Sequence, residues 1–273
     1  MIQYLEFTPA HHLLPFIECF WMLKSQGNFF KKRELIIPGG RVELIFNLGD
    51  AVEWTDSRSP AIQRSFAGAY LLGPRNRPFY VQQNQLVEAI GVRFRHGGVA
   101  SFISAPANIL TNEVLEADEI FGDKINDLIQ QLYESNSHPA SITLIQNFLA
   151  NQIHNESDTR LTMRLISRVK ESETLTLRRL SETTGIHYKK MERLFSRYTG
   201  YNPKNFTRVI RFYKTLKEMH SKPASLTGIG LNGGYYDQPH FIREFKAFTG
   251  TTPSQFTSEN PTIANFLLRS KHV

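Results

Sequence analysis

Thiols are nearly absent from this chain: Cys19 is the only cysteine among 273 residues. That excludes an intramolecular disulfide framework and a multi-thiolate zinc site. Cys19 itself, followed by Phe20 and Trp21, reads as a small buried hydrophobe rather than a reactive thiol. Long apolar runs are missing as well. No stretch approaches the ~18–20 uninterrupted apolar residues of a membrane helix. The opening MIQYLEFTPAHHLLPF has no basic segment ahead of an apolar core, as a secretory signal would. A cytoplasmic protein with no membrane partner is expected. Catalytic signatures are lacking too, with no nucleophile elbow, P-loop or HExxH. The pair His11-His12 is too close in sequence to chelate one metal from a strand or helix. We therefore expect no enzyme, no cofactor and no metal. Asp50, Glu53 and Asp56 read as a solvated acidic loop. Arg93, Arg95 and His96 ahead of Gly97-Gly98 read as a strand-to-helix turn, with an anion-binding nest as the alternative.

What is present is a globular composition, 41% apolar and 21% charged, in a chain long enough for two domains with separate cores. The net charge of +7 is unevenly placed. Residues 1–156 carry 12 Lys/Arg against 16 Asp/Glu, whereas residues 157–273 carry 20 against 9. Such segregation points to one domain that meets a polyanion and one that does not. The sign changes in the polar stretch Asn151–Thr159, which places the domain boundary there.

Upstream of that boundary, strand-like runs dominate. Val42–Leu48 lies between Pro38-Gly39-Gly40 and Gly49-Asp50, and Leu86–Phe94 ends near Gly97-Gly98. Beyond about residue 100 the apolar spacing turns helical. Ile120, Phe121, Ile125, Leu128, Ile129 and Leu132 share one face, as do Ile142, Ile145, Phe148, Leu149 and Ile153. The predicted fold is an α+β first domain, β-rich with helices, over 1–155. An all-α domain of about seven helices follows over 158–260, then a tail over 261–273.

The second half contains an internal echo. Met191, Arg193, Phe195, Thr199, Gly200, Pro203 and Phe206 recur 50 residues later as Phe241, Arg243, Phe245, Thr249, Gly250, Pro253 and Phe256. One supersecondary unit is used twice. In the first copy, Thr176 can cap a short helix from Leu177 to Thr183, and Gly185 can supply the positive φ of a sharp exit. A second helix follows from Tyr188 to Tyr198, with Met191, Leu194, Phe195 and Tyr198 inward. In the second copy, Leu226–Asn232 forms the first helix and Gly233-Gly234 the turn. Asp237 caps a helix from Gln238 to Phe248, with Phe241, Phe245 and Phe248 inward. Helix, glycine turn, helix is the helix-turn-helix plan, whose second helix enters the major groove of double-stranded DNA. The outward charges suit that partner, because Arg and Lys can take guanine or phosphate and Gln can take adenine. A long basic helix from Pro203 to about His220 joins the units.

Residues 158–258 resemble the DNA-binding domain of the AraC/XylS family of transcription regulators. The most specific segment is Gly234-Tyr-Tyr-Asp-Gln-Pro-His-Phe-Ile-Arg-Glu-Phe-Lys246, followed by Phe248-Thr-Gly-Thr-Thr-Pro-Ser-Gln-Phe256. The resemblance implies base-facing positions at Lys189, Glu192 and Arg193 in the first unit, and at Gln238, Pro239, Ile242 and Arg243 in the second. Proline has no side-chain donor or acceptor, so Pro239 is left out of the expected contacts. Lys190, Arg197, Lys204, Arg208, Arg211 and Lys246 are assigned to phosphate. Gly228 and Gly230 depart from the family pattern, each costing roughly 1 kcal/mol against Ala in a helix. Glu18–Trp21, Arg41–Asp50 and Gly91–Gly98 resemble an uncharacterised domain commonly fused to this one. Regulators of this kind use such a domain to bind an effector or to dimerise, and both roles stay open. The implied partners are operator DNA and RNA polymerase, with a small-molecule effector and a second copy of the chain as candidates.

Overall fold

A computed structural model describes residues 2–25, 32–83, 86–154, 157–171, 177–221 and 233–259. The expected helix at 226–232 with Gly228 and Gly230, the Thr176 cap and the tail at 261–273 lie outside them.

The first half is built on ten strands: β1 (Ile2–Phe7), β2 (Ile17–Ser25), β3 (Lys32–Ile36), β4 (Glu43–Asn47), β5 (Val52–Asp56), β6 (Gln63–Phe66), β7 (Ala69–Leu72), β8 (Phe79–Gln83), β9 (Glu88–Phe94) and β10 (Val114–Glu116). They form a six-stranded sheet in the order β1-β2-β9-β4-β7-β10 and a four-stranded sheet in the order β3-β8-β5-β6. Every pairing is antiparallel.

The central strands of the larger sheet are covered on both faces, which is why they read as near-continuous apolar runs. Alternate residues serve different cores. Trp21, Leu23, Ile45, Tyr70 and Leu72 face the second sheet and meet Val52, Trp54, Phe79 and Val81. Phe20, Met22, Leu44, Phe46, Leu71, Ile90 and Val92 face the other way. There they are covered by α1 (Asp118–Phe121), α2 (Lys124–Glu134) and α3 (His138–Ala150), through Ile125, Leu128, Leu132, Ile145 and Leu149. The helical stretch expected across 120–132 is broken at Gly122, whose φ of 70° ends α1 and re-aims α2.

One expectation for this half needs correction. Glu53 and Asp56 are not loop residues but lie on β5. Glu53 accepts from Gln82 Nε2, and Asp56 is paired with Arg77. Their charge hid a strand in which Val52 and Trp54 are buried. The turn before Gly97-Gly98 is confirmed as a turn, with Gly97 at φ 82° leading into a 3-10 turn, Gly98–Ser101. Its basic residues point elsewhere. Arg93 is buried with its Nε 2.7 Å from Glu43 and Nη1 3.5 Å from Glu6. Burial alone would disfavour its charge, but Glu43 outweighs that and holds the guanidinium firmly charged. Arg95 Nε donates to the Leu14 carbonyl at 2.8 Å. A second buried pair joins Arg41 to Glu18 at 2.7 Å.

The second half is helical: α4 (Ser157–Glu171), α5 (Leu177–Thr184), α6 (Tyr188–Thr199), α7 (Pro203–Ser221), α8 (Gln238–Thr249) and α9 (Pro253–Glu259). Met191, Leu194, Phe195, Phe206, Phe212, Phe241 and Phe245 form its core. Leu35 and Ile37 of the first half belong to the same cluster.

Candidate nucleic-acid interface

Helices α6 and α8 begin with the same local chemistry. Gly185 and Gly234, just ahead of them, take φ of 67° and 71°, the left-handed backbone that favours glycine. Each helix is then capped by a side chain. His187 Nδ1 accepts from Lys189 N at 3.3 Å, and Asp237 Oδ1 accepts from His240 N at 2.7 Å. The 50-residue echo is structural at the other end too. Thr199 and Thr249 donate their hydroxyls to Phe195 O and Phe245 O, at 2.7 and 2.9 Å. Each also accepts from the amide two residues on, at 3.2 Å in both copies. Gly200 and Gly250 close the helices at φ 79° and 81°.

These helices bury their apolar faces as their spacing requires. Met191, Leu194, Phe195 and Tyr198 are buried in α6, and Phe241, Phe245 and Phe248 in α8. The opposite edge of α6 exposes Lys189, Lys190, Glu192, Arg193 and Arg197. On α8, Gln238, Pro239, Arg243 and Lys246 are exposed, while Ile242 is half-buried against the core.

Helix α7 joins the units, with Lys204 exposed. Arg208 and Arg211, expected at phosphate, both hold one carboxylate. Glu244 on α8 accepts from Arg208 Nε at 2.5 Å and from Arg211 Nη2 at 2.9 Å. Burial pushes the Glu244 pKa up, but the two guanidiniums outweigh it and keep the carboxyl below its usual range. The two arginines also lie over aromatic rings, Arg208 over Phe248 at 5.5 Å and Arg211 over Tyr235 at 4.6 Å. This cluster fixes α8 against α7. Sequence reasoning missed Glu244 because a carboxylate in a recognition helix reads as another outward charge. It also missed Tyr236, which is 89% exposed directly ahead of the α8 cap.

The C-terminal end of α6 is tied to the first half of the chain. Ala107 N donates to Arg197 O at 2.6 Å, Thr111 Oγ1 to Gly200 O at 3.0 Å, and Tyr201 Oη to Arg75 O at 2.6 Å. Gly200 is therefore constrained twice. A Cβ there would lie 2.6 Å from Thr111 Oγ1 and 2.9 Å from Ala107 O, whereas at Gly250 the nearest atoms are 4.0 Å away. Gly200→Ala and Gly250→Ala should share the penalty of left-handed backbone, about 1–2 kcal/mol. Only Gly200→Ala adds the clash. Scanning calorimetry of the two variants should show at least twice the loss for Gly200→Ala, and equal losses would mean that the contact yields freely.

Comparison with known proteins agrees with this construction. Residues 180–259 match a helix-turn-helix domain family, and residues 5–116 match a domain of unknown function, DUF6597. No curated protein matches the sequence. Among solved structures, ToxT from Vibrio cholerae aligns with 91% of this chain and 99% of its own at 12% identity and a TM-score of 0.51, a likeness of fold. Shorter matches include the C-terminal domain of AraT, a response regulator from Geobacillus stearothermophilus, at 22% identity. It covers 38% of this chain and 86% of that one, with a TM-score of 0.33. A transcriptional regulator from Chromobacterium violaceum, described as AraC-type, aligns at 20% identity over 39% of this chain and 98% of its own, with a TM-score of 0.36. The chain carries a helix-turn-helix domain over residues 180–259 behind a DUF6597 domain over residues 5–116.

Proposed function

We propose that the protein binds operator DNA sequence-specifically, with α6 and α8 in successive major grooves on one face of the duplex. The observation that carries this reading is the matched construction of the two helices, which share caps and an apolar face while each exposes a polar edge. Helix α7 has 19 residues, which at the helical rise of 1.5 Å spans about 28 Å. That approaches the groove repeat of about 34 Å.

Lys189, Glu192 and Arg193 are assigned to base edges in one groove, and Gln238, Ile242 and Arg243 to those in the next. Lys190, Arg197, Lys204 and Lys246 are assigned to phosphate. Arg208 and Arg211 are reassigned to orienting α8 through Glu244. Residues 1–155 act as the sensing or dimerising domain, 158–260 as the DNA-binding domain. The protein acts without catalysis, in the cytoplasm, with RNA polymerase and a second copy of itself as the remaining macromolecular partners.

The test is selection from a random duplex pool by the full-length protein at near-physiological salt. Two conserved blocks about one helical turn apart should be recovered. On that operator, Arg193→Ala and Arg243→Ala should each lose about 1–3 kcal/mol of binding and relax preference at one base position. Loss spread evenly over all sequences would move that arginine to phosphate. No enrichment, with binding abolished by modest salt, would overturn sequence-specific recognition.

A sensing role for the first domain has its own support. The space between the two sheets holds a cavity of about 70 Å³. Sandwiches that serve only as scaffolds fill this space with side chains.

A further inference from the structure

The cleft is built from Trp21, Ile45, Val52, Trp54, Tyr70 and their neighbours, and one guanidinium reaches into it. Its width depends on Gly91, where a Cβ would lie 2.0 Å from the Trp21 ring. The indole can thus lie flat over β9 and form an aromatic wall.

Arg75, in the connection between β7 and β8, is 6% exposed. Among the described residues no carboxylate pairs with it, and its Nε and Nη1 are buried without a hydrogen-bond partner. The other cations of the first domain's core have theirs: Arg93 has Glu43 and Glu6, and Arg41 has Glu18. Glu43 lines the same cleft, but its Oε1 already accepts from Arg93 Nε at 2.7 Å. The Trp54 ring, 6.0 Å from Arg75 Cζ, stands at the outer limit of a cation–π contact. Burial pulls the Arg75 pKa down, against the opposing influence of Glu43. A buried cation without an ion-pair partner is costly enough that proteins rarely keep one without a purpose.

Another unsatisfied polar atom of the cleft points the same way. Trp21 Nε1 is also buried without a hydrogen-bond partner. An indole N–H and a guanidinium can donate and cannot accept. The cleft therefore offers unused donors and one positive charge inside aromatic walls. A ligand that suits it has an apolar, flat body and one anionic acceptor group. One cation matches one carboxylate, preferably through the paired N–H fork of arginine.

Arg75 also stands beside the second half of the chain. Its own carbonyl accepts from Tyr201 Oη at 2.6 Å. The adjacent Pro74 ring lies 2.8 Å from where a Cβ would stand on Gly200. The residue that would hold the ligand is thus in direct contact with the end of recognition helix α6.

We propose that the cleft binds a small aryl-alkyl carboxylic acid, its carboxylate on Arg75, and that Tyr201 transmits occupancy from Arg75 to the end of α6. This rests on the sensing reading of the first domain, and names the ligand class and the route.

The test uses the full-length protein with cinnamate, 3-phenylpropionate and indole-3-acetate, each against its neutral amide. The acids should raise Tm and bind by titration calorimetry, the amides far more weakly. Arg75→Gln keeps a hydrogen-bonding group, removes an unpaired buried charge and should fold at least as well as the parent. It should nevertheless lose more than about tenfold in affinity for the acids, the scale of hydrogen bonds to a charged group. Hydrogen exchange over residues 194–206 should slow when acid binds, and Tyr201→Phe should abolish that change while leaving acid affinity within about twofold.

Acids bound equally by the parent and Arg75→Gln would overturn the anchor. An unchanged exchange response in Tyr201→Phe would overturn the route. Amides binding as well as acids would overturn the anion class while leaving the cleft a sensor. If no acid or amide binds, the ligand class is overturned; the sensing reading falls separately, if Tm also stays unmoved across a broad set of neutral and cationic small molecules.

Discussion

An Arg93→Met protein should unfold with about 3–5 kcal/mol less free energy than the parent, the usual consequence of removing one partner from a buried ion pair. The side chain is 2% exposed and sits between Glu43 and Glu6 in the larger sheet. Without it the buried Glu43 carboxylate loses its ion-pair partner in a low-dielectric interior, while Glu6, 17% exposed, can turn to water. Methionine fills much of the volume, so packing contributes little to the loss. The doubly changed Arg93→Met, Glu43→Gln protein should recover part of it, because the amide that replaces Glu43 carries no charge. Urea unfolding of the full chain, followed by tryptophan fluorescence, measures both; Trp21 and Trp54 both lie between the sheets. A single-variant loss under about 1 kcal/mol would mean that the pair is far better solvated than its burial indicates.

Phe245→Ala should cost a similar amount, about 3–5 kcal/mol, for a different reason. Phe245 is fully buried and meets Phe212, Phe241 and Phe256 edge-on, with centroids 5.5–5.7 Å apart. Those rings come from α7, α8 and α9, so one truncation opens a cavity where all three helices meet. The consequence should be selective. Contacts assigned to α8 should be lost from the recovered operator, whereas the first domain keeps its fold. A DNA-binding assay beside far-ultraviolet circular dichroism checks this. Unchanged affinity at the second block would show that α8 does not read it.

The two predictions fall on parts of the molecule that the sequence discloses unequally. The core position of Phe245 follows from sequence alone, because its echo with Phe195 and its spacing to Phe241 and Phe248 fix one helical face. The Thr-Gly helix ends are visible for the same reason, since each is set by neighbours within a few residues. Arg93 is not legible as a core cation. Its partner Glu43 lies 50 positions away, and only the pairing of β4 with β9 brings the two together. Strand order, the break at Gly122, and the capture of Arg208 and Arg211 by Glu244 are likewise hidden, being set by distant parts of the chain. Arg75 is the extreme case. Composition places an arginine at the surface, and nothing near it in sequence signals a cleft between two sheets.

The sharing of Leu35 and Ile37 with the helical core has a practical corollary for anyone cutting or grafting this molecule. These two side chains cluster with Val209, Ile210 and Tyr213 of α7. A fragment beginning near residue 158 would bare that apolar patch to water, and exposed patches of this kind drive self-association. The excised half would be prone to precipitate or pair with itself, and its affinities would describe those aggregates. A chimera that sets a foreign reader module behind this sandwich must likewise supply a matching greasy face opposite Leu35 and Ile37, or the seam will stay wet and loose.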